Sequence, residues 1–173
     1  MGLQWASAQV EPKRQFRWTF QFPGDGAAEI LPTWIVKAAA KPKFSVTESS
    51  HKYLNHTFYY PGRVEWEEIQ ITLVDPVSPD ASAGLYGLLR ASGYDDPRDQ
   101  AEGPMRTISK YASNAVIGNG VLSQYNQLGT LADVWTLNNM WIKSVDFGSL
   151  DYENDDLVNI ELTIRYDWAT LGG

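Results

Sequence analysis

The stretch that decides the fold lies near the C-terminus and reads, from residue 157 to residue 168, Leu157-Val158-Asn159-Ile160-Glu161-Leu162-Thr163-Ile164-Arg165-Tyr166-Asp167-Trp168. Apolar side chains occupy the even-numbered positions from 158 to 168, and polar ones occupy the odd-numbered positions between them. Because successive side chains of a strand point to opposite faces, this alternation predicts one long strand with an apolar and a charged face. It exceeds the usual length of about 5–6 residues, so it should extend beyond a single small core.

The composition predicts one globular domain over residues 1–173. A chain of 173 residues can bury a substantial core, and 13% aromatic residues are too many for a disordered chain. The absence of cysteine excludes a disulfide framework and a thiolate metal site. The net charge of −7 argues against a basic nucleic-acid binder, whose affinity comes from neutralising phosphates.

The same sequence shows no signal for membrane insertion or secretion. No apolar run approaches the roughly 18 residues that a transmembrane helix needs. The first ten residues have neither a basic segment nor an apolar one of the kind that signal peptides carry. We therefore expect a soluble protein made in a cytoplasm.

The remaining patterns predict a mainly β protein. Further strands are expected over residues 16–22, 34–40, 43–47, 64–74, 121–127, 131–137 and 141–147. A helix is expected at about 78–93, capped by Ser78, with Pro79 in its first turn and Gly93 past its end. Its apolar stripe would be Ala81, Leu85, Leu88 and Leu89. A second short helix is expected at about 105–117.

Two segments lack a clean period. Residues 48–62 mix polar and aromatic side chains, which predicts a long loop that docks against something. Within 64–74 the apolar parity switches at Glu67-Glu68. Either a β-bulge in one strand or a kink between two strands explains that switch.

No enzyme emerges from the chemistry-bearing residues. Both histidines, His51 and His56, fall in the irregular segment and are interpreted as solvated. The pair Gly118 and Gly120 lacks the third glycine and the following helix of a dinucleotide site. An acidic group at Asp151, Glu153, Asp155 and Asp156 lacks the pattern of a calcium loop and is interpreted as a solvated turn. No catalytic residue, metal or cofactor is predicted.

Several motifs in the last third of the chain resemble one family. They are Trp135-Thr136-Leu137, the run Trp141-Ile142-Lys143-Ser144-Val145-Asp146-Phe147-Gly148, then Leu150-Asp151-Tyr152, and the run from Ile160 to Ala169. Upstream, Tyr60-x-Gly62, Glu65-Trp66 and Ile69-x-Ile71-x-Leu73-x-Asp75 add to them. Over roughly 36–171 the chain resembles the tail tube protein of contractile-tailed bacteriophages and related contractile injection systems.

This resemblance implies a β-sandwich or barrel-like tail tube fold with one covering helix. It also implies hexameric rings that stack into a tube and form a channel for genome delivery. The partners would be further copies of the chain, the tail sheath, the baseplate and the tail terminator, with non-specific passage of DNA. The protein would be assembled in the host bacterial cytoplasm and would reside in the virion tail.

The resemblance also suggests roles for segments of the chain. By comparison with the family pattern, 94–131 would be an insertion. The residues themselves, without the resemblance, predict an N-terminal arm over 1–14 in which Trp5 is the one anchor. Residues 48–62 would be a long inter-subunit loop. Its candidate contacts are the apolar side chains Tyr53, Leu54, Phe58 and Tyr59.

The polar side chains of segment 64–74 are candidates for the channel wall. They are Glu65, Glu67, Glu68, Gln70 and Thr72. Carboxylates facing the lumen would repel duplex DNA and leave it no binding site during passage. Alternatively, these side chains face outward against a sheath.

Two other functions remain open at this stage. A tube of a DNA-free injection device, or a ring protein like those of type VI secretion systems, would share the fold. A monomeric carbohydrate-binding β-sandwich would also use many aromatic residues, but it would stay monomeric.

Overall fold

The computed structural model describes residues 11–24, 31–98 and 106–172. Trp5 and the first ten residues of the predicted N-terminal arm lie outside them. Within the described residues the strands are β1 Trp18–Gln21, β2 Val36–Ala39, β3 Phe44–Tyr53, β4 His56–Trp66, β5 Ile69–Val74, β6 Gly120–Tyr125, β7 Leu131–Asn138, β8 Trp141–Asp146, β9 Asn159–Arg165 and β10 Trp168–Gly172. The helices are α1 Ala81–Ala91 and α2 Lys110–Ile117, and a 3-10 turn at Thr33–Ile35 precedes β2.

Two four-stranded antiparallel sheets share one core, as the sequence predicts for a sandwich. The first sheet has the order β1-β6-β7-β10 and the second has the order β2-β5-β9-β8. Phe20, Leu122 and Leu137 contribute to the core from the first sheet. Ile71 and Leu162 contribute from the second. No closed barrel forms among the described strands, so the prediction of a mainly β sandwich is confirmed in its open form.

The prediction of one continuous strand over 157–168 is wrong, because the strand is shorter. Its alternation holds from Ile160 to Tyr166, whose even-numbered side chains are all buried. The chain then leaves the second sheet and enters the first, because the backbone N–H of Asp167 donates to the Asn138 carbonyl at 3.0 Å. Trp168 pairs with Asn138 in the first sheet and remains 44% exposed. The two sheets thus share this stretch, with Tyr166 at the crossing.

Helix α1 lies within the predicted range of 78–93 but has a different cap. Asp80 caps the helix, and its carboxylate accepts the N–H of Ala83 at 2.9 Å. Ser78 and Pro79 lie in the turn before the helix, so neither has the predicted role. Ala81, Leu85 and Leu88 are buried as expected, whereas Leu89 is partly exposed.

The second helix is shorter than predicted, and the following hairpin is confirmed. Helix α2 begins only at Lys110, because Ser109 accepts the N–H of Ala112 at 3.1 Å and ends the extended segment before it. Strands β6 and β7 form the hairpin expected at 121–137. Residues 99–105 of the predicted insertion lie outside the described residues. Within the described ranges, neither helix has the length and apolar character needed to cross a membrane.

Candidate assembly surface

Strands β3 and β4 form a two-stranded ribbon, residues 44–66, that extends past the sandwich. They pair from Phe44 and Trp66 at the base to Tyr53 and His56 at the tip. The ribbon continues the β2–β5 pair, because the N–H of Glu67 donates to the carbonyl of Lys43 at 2.9 Å. Nearly every residue of the ribbon is solvent-exposed, with Trp66 the exception.

The prediction of an irregular loop over 48–62 is therefore wrong. Apolar side chains recur at every second position only when one face of a strand is buried and the other is exposed to solvent. Neither face of the ribbon is buried by the described residues, which explains why its sequence has no regular apolar period. The predicted strand over 64–74 is likewise two strands, β4 and β5, which meet at Glu67-Glu68 as the kinked alternative requires.

A β-bulge at Gly62 and Arg63, opposite Thr47, reverses the side-chain parity of β4 relative to β3. Between the pairs Val46–Val64 and Glu48–Pro61, β3 has one residue and β4 has two. The hydroxyl of Thr47 accepts the N–H of Arg63 at 2.8 Å and so holds the extra residue in place. Even-numbered side chains of β4 consequently face one side of the ribbon between the bulge and the base, and the opposite side between the bulge and the tip.

Strand alternation places the predicted contact residues on different faces. Phe58, Tyr60 and Tyr53 share one face with both histidines, since His51 pairs with Phe58 and His56 with Tyr53. We call this the tip face. Tyr59 points to the opposite side. Leu54 lies at the turn and is 86% exposed.

A second exposed apolar patch, at the base of the ribbon, was not predicted from the sequence. Phe44, Val46 and Val64 are exposed on the face opposite to the tip face. Their alternation is visible in the sequence, but it is indistinguishable there from the buried face of a sandwich strand. The ribbon thus carries one apolar patch at its base and a second, on the opposite face, towards its tip.

Aromatic contacts fix the ribbon to the sandwich. The rings of Phe44 and Trp66 lie 5.4 Å apart, and those of Trp66 and Tyr166 lie 6.1 Å apart between centroids. Tyr166 is buried at the crossing between the sheets, and this burial raises the pKa of its hydroxyl above the usual value. The base of the ribbon is therefore continuous with the core.

The sandwich also has unpaired sheet edges. Strands β1 and β10 border the first sheet, and β2 and β8 border the second; within the described chain each pairs on one side only. Backbone groups on such an edge are available for pairing with another chain. Over residues 11–24, 31–98 and 106–172 the structure therefore presents both exposed apolar side chains and sheet edges without a paired strand.

The predicted channel-wall residues lie in two places, on the outer face of the second sheet and at the base of the ribbon. Gln70 and Thr72 project from the outer face of the second sheet, because Ile69, Ile71 and Leu73 point into the core. Glu65 belongs to the ribbon, opposite Ser45. Glu67 follows it, and Glu68 forms an ion pair with Lys143. No single strand carries all five residues.

The outer face of the second sheet is balanced in charge. Its carboxylates are those of Glu68, Asp146 and Glu161, and its cationic side chains are those of Lys37, Lys143 and Arg165. Lys37 reaches across the sheet to the Asn159 side-chain oxygen at 3.2 Å. The face is thus polar without a strong field of either sign.

The residues considered for chemistry do not converge. Both histidines lie on the exposed tip face of the ribbon. Asp151, Glu153 and Asp156 lie in the exposed loop between β8 and β9. Among the described residues no three His, Asp or Glu side chains come close enough to hold a metal ion.

Comparison with solved structures identifies the fold. The chain aligns with a chain of the sheath/tube terminator, in its extended state, of PVC, an extracellular contractile injection system, at 15% identity and a TM-score of 0.65, covering 96% of this chain and 100% of that one. A chain of the anti-feeding prophage baseplate aligns at 14% identity and a TM-score of 0.64, covering 95% and 97%. A chain of the extended PVC sheath–tube complex aligns at 14% identity and a TM-score of 0.61, covering 95% and 94%.

No protein-family model matches the chain, and no curated protein matches it significantly in sequence. The shared fold with chains of contractile injection systems nevertheless confirms the fold that the resemblance implied.

Proposed function

We propose that this chain is the structural subunit of a tail tube, which closes into hexameric rings that stack into the channel of a contractile device. The observation that carries the proposal is the ribbon. It exposes large apolar side chains on both faces while its base is fixed to the core of a fold shared with contractile injection systems. Exposed apolar surface of this kind marks an interaction site.

Ring closure would also remove the free sheet edges. A heterologous contact between one edge strand and another on the next copy repeats around an axis and closes when the rotation divides the circle. Pairing of this kind supplies main-chain hydrogen bonds at every junction. A domain with edges at β2 and β8 of one sheet has the two complementary surfaces that such a ring requires.

The remaining expectations belong to the same proposal. The tube would contact a sheath along its outside and a baseplate and a terminator at its ends, and its channel would deliver a genome from a virion tail. A tube that carries no DNA would use the same fold. Detection of the native protein in packaged virions, in DNA-free particles, or free in culture supernatant separates these variants.

Purified protein tests the proposal directly. Size-exclusion chromatography with light scattering and negative-stain microscopy should show rings or tubes at high concentration. A ribbon variant with Tyr53→Ser, Phe58→Ser and Tyr60→Ser should stay folded and remain monomeric. As a control, the variant Phe16→Ser with Tyr111→Ser removes two rings that are even more exposed, and it should still assemble. A parent protein that stays monomeric at its highest soluble concentration would contradict the proposal and favour a monomeric binding module.

A further inference from the structure

An open cleft of about 610 Å³ lies beside β2, where that edge strand leaves part of the first sheet uncovered. Lys13 borders the cleft, but its charge is balanced by an ion pair with Asp133. The cleft is also lined by side chains from both sheets, which are Trp18, Lys37, Lys41, Leu122, Gln124 and Trp135. We call it the lysine–tryptophan cleft.

The lysine–tryptophan cleft combines aromatic surface with positive charge. Its two tryptophans pack against the core and are only partly buried. The ammonium of Lys37 donates to the side-chain oxygen of Asn159 at 3.2 Å, and that of Lys41 donates to the side-chain oxygen of Gln124 at 2.6 Å. Both acceptors are neutral amides, and no carboxylate among the described residues forms an ion pair with either lysine. A complementary partner therefore carries carboxylates together with aromatic or aliphatic side chains.

The loop between β8 and β9 has that chemistry. Residues 147–158, which we call the acidic loop, contain four carboxylates and no Lys, Arg or His. Leu150, Tyr152 and Leu157 are largely exposed. Over residues 11–24, 31–98 and 106–172, none of the four carboxylates forms an ion pair. The acidic loop thus offers the cleft both the charge and the apolar surface that it lacks.

The order of the second sheet relates these two surfaces. Strands β2 and β8 are its opposite edges, and three antiparallel steps separate them. The two edge strands consequently run in opposite directions. Pairing β8 of one copy with β2 of the next would therefore continue the antiparallel pattern of the sheet from subunit to subunit.

That pairing brings the acidic loop to the cleft. Strand β8 ends at Asp146, whose partner on β9 is Glu161. Strand β2 begins at Val36, whose partner on β5 is Leu73. Because Leu73 pairs with Ile160, the neighbour of Glu161, the end of β8 and the start of β2 lie at the same end of the sheet. The acidic loop of one copy would leave its sheet beside the start of β2 in the next copy, where the cleft begins.

We propose that the acidic loop of one copy fills the lysine–tryptophan cleft of the next copy in the same ring. This inference rests on the proposed function and names the side-chain contact that accompanies edge pairing within a ring. The loop carboxylates meet the ammonium groups of Lys37 and Lys41, and the exposed ring of Tyr152 covers the two tryptophans. Because the contact joins two different surfaces of the subunit, it repeats in one direction around a closed ring.

The absence of cysteine allows a direct test by cross-linking. Ala38 lines the cleft, so Ala38→Cys with Tyr152→Cys, or with Leu150→Cys, places one thiol in the cleft and one on the acidic loop. Cysteines within about 4.4–6.8 Å between Cα atoms can form a disulfide. Oxidised assemblies should give covalent multimers that stop at the number of subunits in one ring. Ala38→Cys mixed with Tyr152→Cys as two single variants should give dimers only.

A matched pair controls for unspecific oxidation. Ala38→Cys with Leu128→Cys uses a side chain that is 80% exposed in the turn between β6 and β7. These are the two central strands of the first sheet, so the turn does not belong to a sheet edge. This pair should give no multimers on a denaturing gel without reductant.

An exchange of charge tests the same contact without cysteine. Lys37→Glu with Lys41→Glu should raise the concentration needed for ring formation at least about tenfold. Adding Asp151→Lys and Glu153→Lys to that variant should restore assembly, because the opposed charges are then exchanged. Light scattering measures ring formation, and circular dichroism checks that each subunit is folded.

A second rescue variant separates the contact from the net charge. Adding Asp95→Lys and Asp96→Lys to the Lys37→Glu, Lys41→Glu variant makes the same change of charge in the segment after α1. Assembly should then remain weak. Equal rescue by both pairs would mean that only the net charge matters, and it would overturn the inference.

The remaining outcomes separate the inference from the function on which it rests. If the parent forms rings or tubes, but neither cleft–loop pair cross-links and the charge exchange restores nothing, the inference is wrong and the proposed function stands. If the parent forms no ring or tube, the proposed function fails and the inference fails with it. Multimers that continue beyond one ring, or multimers from the Leu128 pair, would also overturn the contact within a ring.

Discussion

Gly62 lies against Thr47 so closely that a Cβ at position 62 would be 2.4 Å from the Thr47 Oγ1 atom and 2.9 Å from the Thr47 carbonyl oxygen. The same hydroxyl accepts the N–H of Arg63. Glycine at position 62 therefore permits the bulge, and Thr47 holds it. This pair decides that Phe58 and Tyr60 face away from the side on which Val64 and Trp66 lie.

Replacing this glycine should damage the ribbon and spare the sandwich. In Gly62→Ala the new methyl group has to displace the Thr47 backbone or abolish the bulge, which shifts the pairing between β3 and β4. Amide hydrogen exchange should accelerate throughout 48–61 and stay unchanged in β5 and β9. Tube formation should fall with it, because the tip side chains lose their common face.

Gly87→Ala is the matched control for that substitution. Apart from its chain neighbours and the adjacent backbone of α1, no described atom lies within 4 Å of a Cβ built at Gly87, which is in the interior of that helix. Removing a helical glycine there should stabilise the domain by about 0.5–1 kcal/mol. If Gly62→Ala leaves ribbon exchange and assembly as unaffected as Gly87→Ala does, the bulge does not control the tip face.

The two faces of the ribbon should differ in their contribution to assembly. Phe58→Ala removes a ring from the tip face, whereas Tyr59→Ala removes one from the opposite side. Aromatic anchors at the centre of an interface cost about 2 kcal/mol or more on truncation. We expect Phe58→Ala to weaken tubes by that amount and Tyr59→Ala to weaken them less. Denaturant-induced disassembly measures both, and equal effects would show that both faces are buried between subunits.

The stability of the fold should depend on pH through Asp167, which lies in the turn between β9 and β10. A hydrogen bond from the Lys110 ammonium at 2.5 Å, and a second from the Asn139 side chain at 2.7 Å, hold the pKa of Asp167 below its ordinary value. A depressed carboxyl pKa stabilises the fold above the pKa of the unfolded chain, about 3.9, and this contribution is lost as the pH falls through the folded-state pKa.

Lys110→Gln should therefore lower the melting temperature most near neutral pH and progressively less below about pH 4. Calorimetry of the dissociated subunit between pH 2 and pH 7 measures the difference. Lys52→Gln removes an exposed charge from the ribbon and should show no such trend. A Lys110→Gln deficit that stays constant across this range would mean that the ion pair contributes nothing and that the loss is one of packing.

The charge of the channel wall is open to an equally direct measurement. If Glu65 and Glu67 line the lumen, Glu65→Lys with Glu67→Lys should make assembled tubes retain duplex DNA, with binding that weakens as salt rises. Asp95→Lys with Asp96→Lys makes the same change of charge in the segment after α1 and should leave DNA unbound. Co-sedimentation of tubes with DNA at several salt concentrations decides the point. Retention by neither variant would place Glu65 and Glu67 outside the channel.

The core of this protein was predictable because each apolar side chain has its own preference to be buried. Ile160, Leu162 and Ile164 are buried as their alternation requires, and Ile69, Ile71 and Leu73 are buried in the same way. Helix α1 followed from its apolar stripe. The aromatic character of Tyr53 and Phe58 makes them candidate contacts, and their role between subunits stays a prediction.

Other features depend on partners that are distant in the sequence. The end of β9 is fixed by Asp167 meeting Asn138, and the helix cap by the position of Asp80 after a turn. The opposite orientations of Phe58 and Tyr59 agree with plain alternation. Only the pairing of β3 with β4, however, shows that the bulge turns Tyr60 away from Val64.

The sequence by itself therefore determined which side chains avoid water, since that preference is carried by each residue and repeats with the period of its strand. The tertiary structure alone decided where the strands end and which sheet each one joins. It also decided that the ribbon and the loop between β8 and β9 lie at opposite ends of the second sheet. These properties arise from hydrogen-bond pairing between residues far apart in the chain, and no local pattern encodes the identity of such a partner.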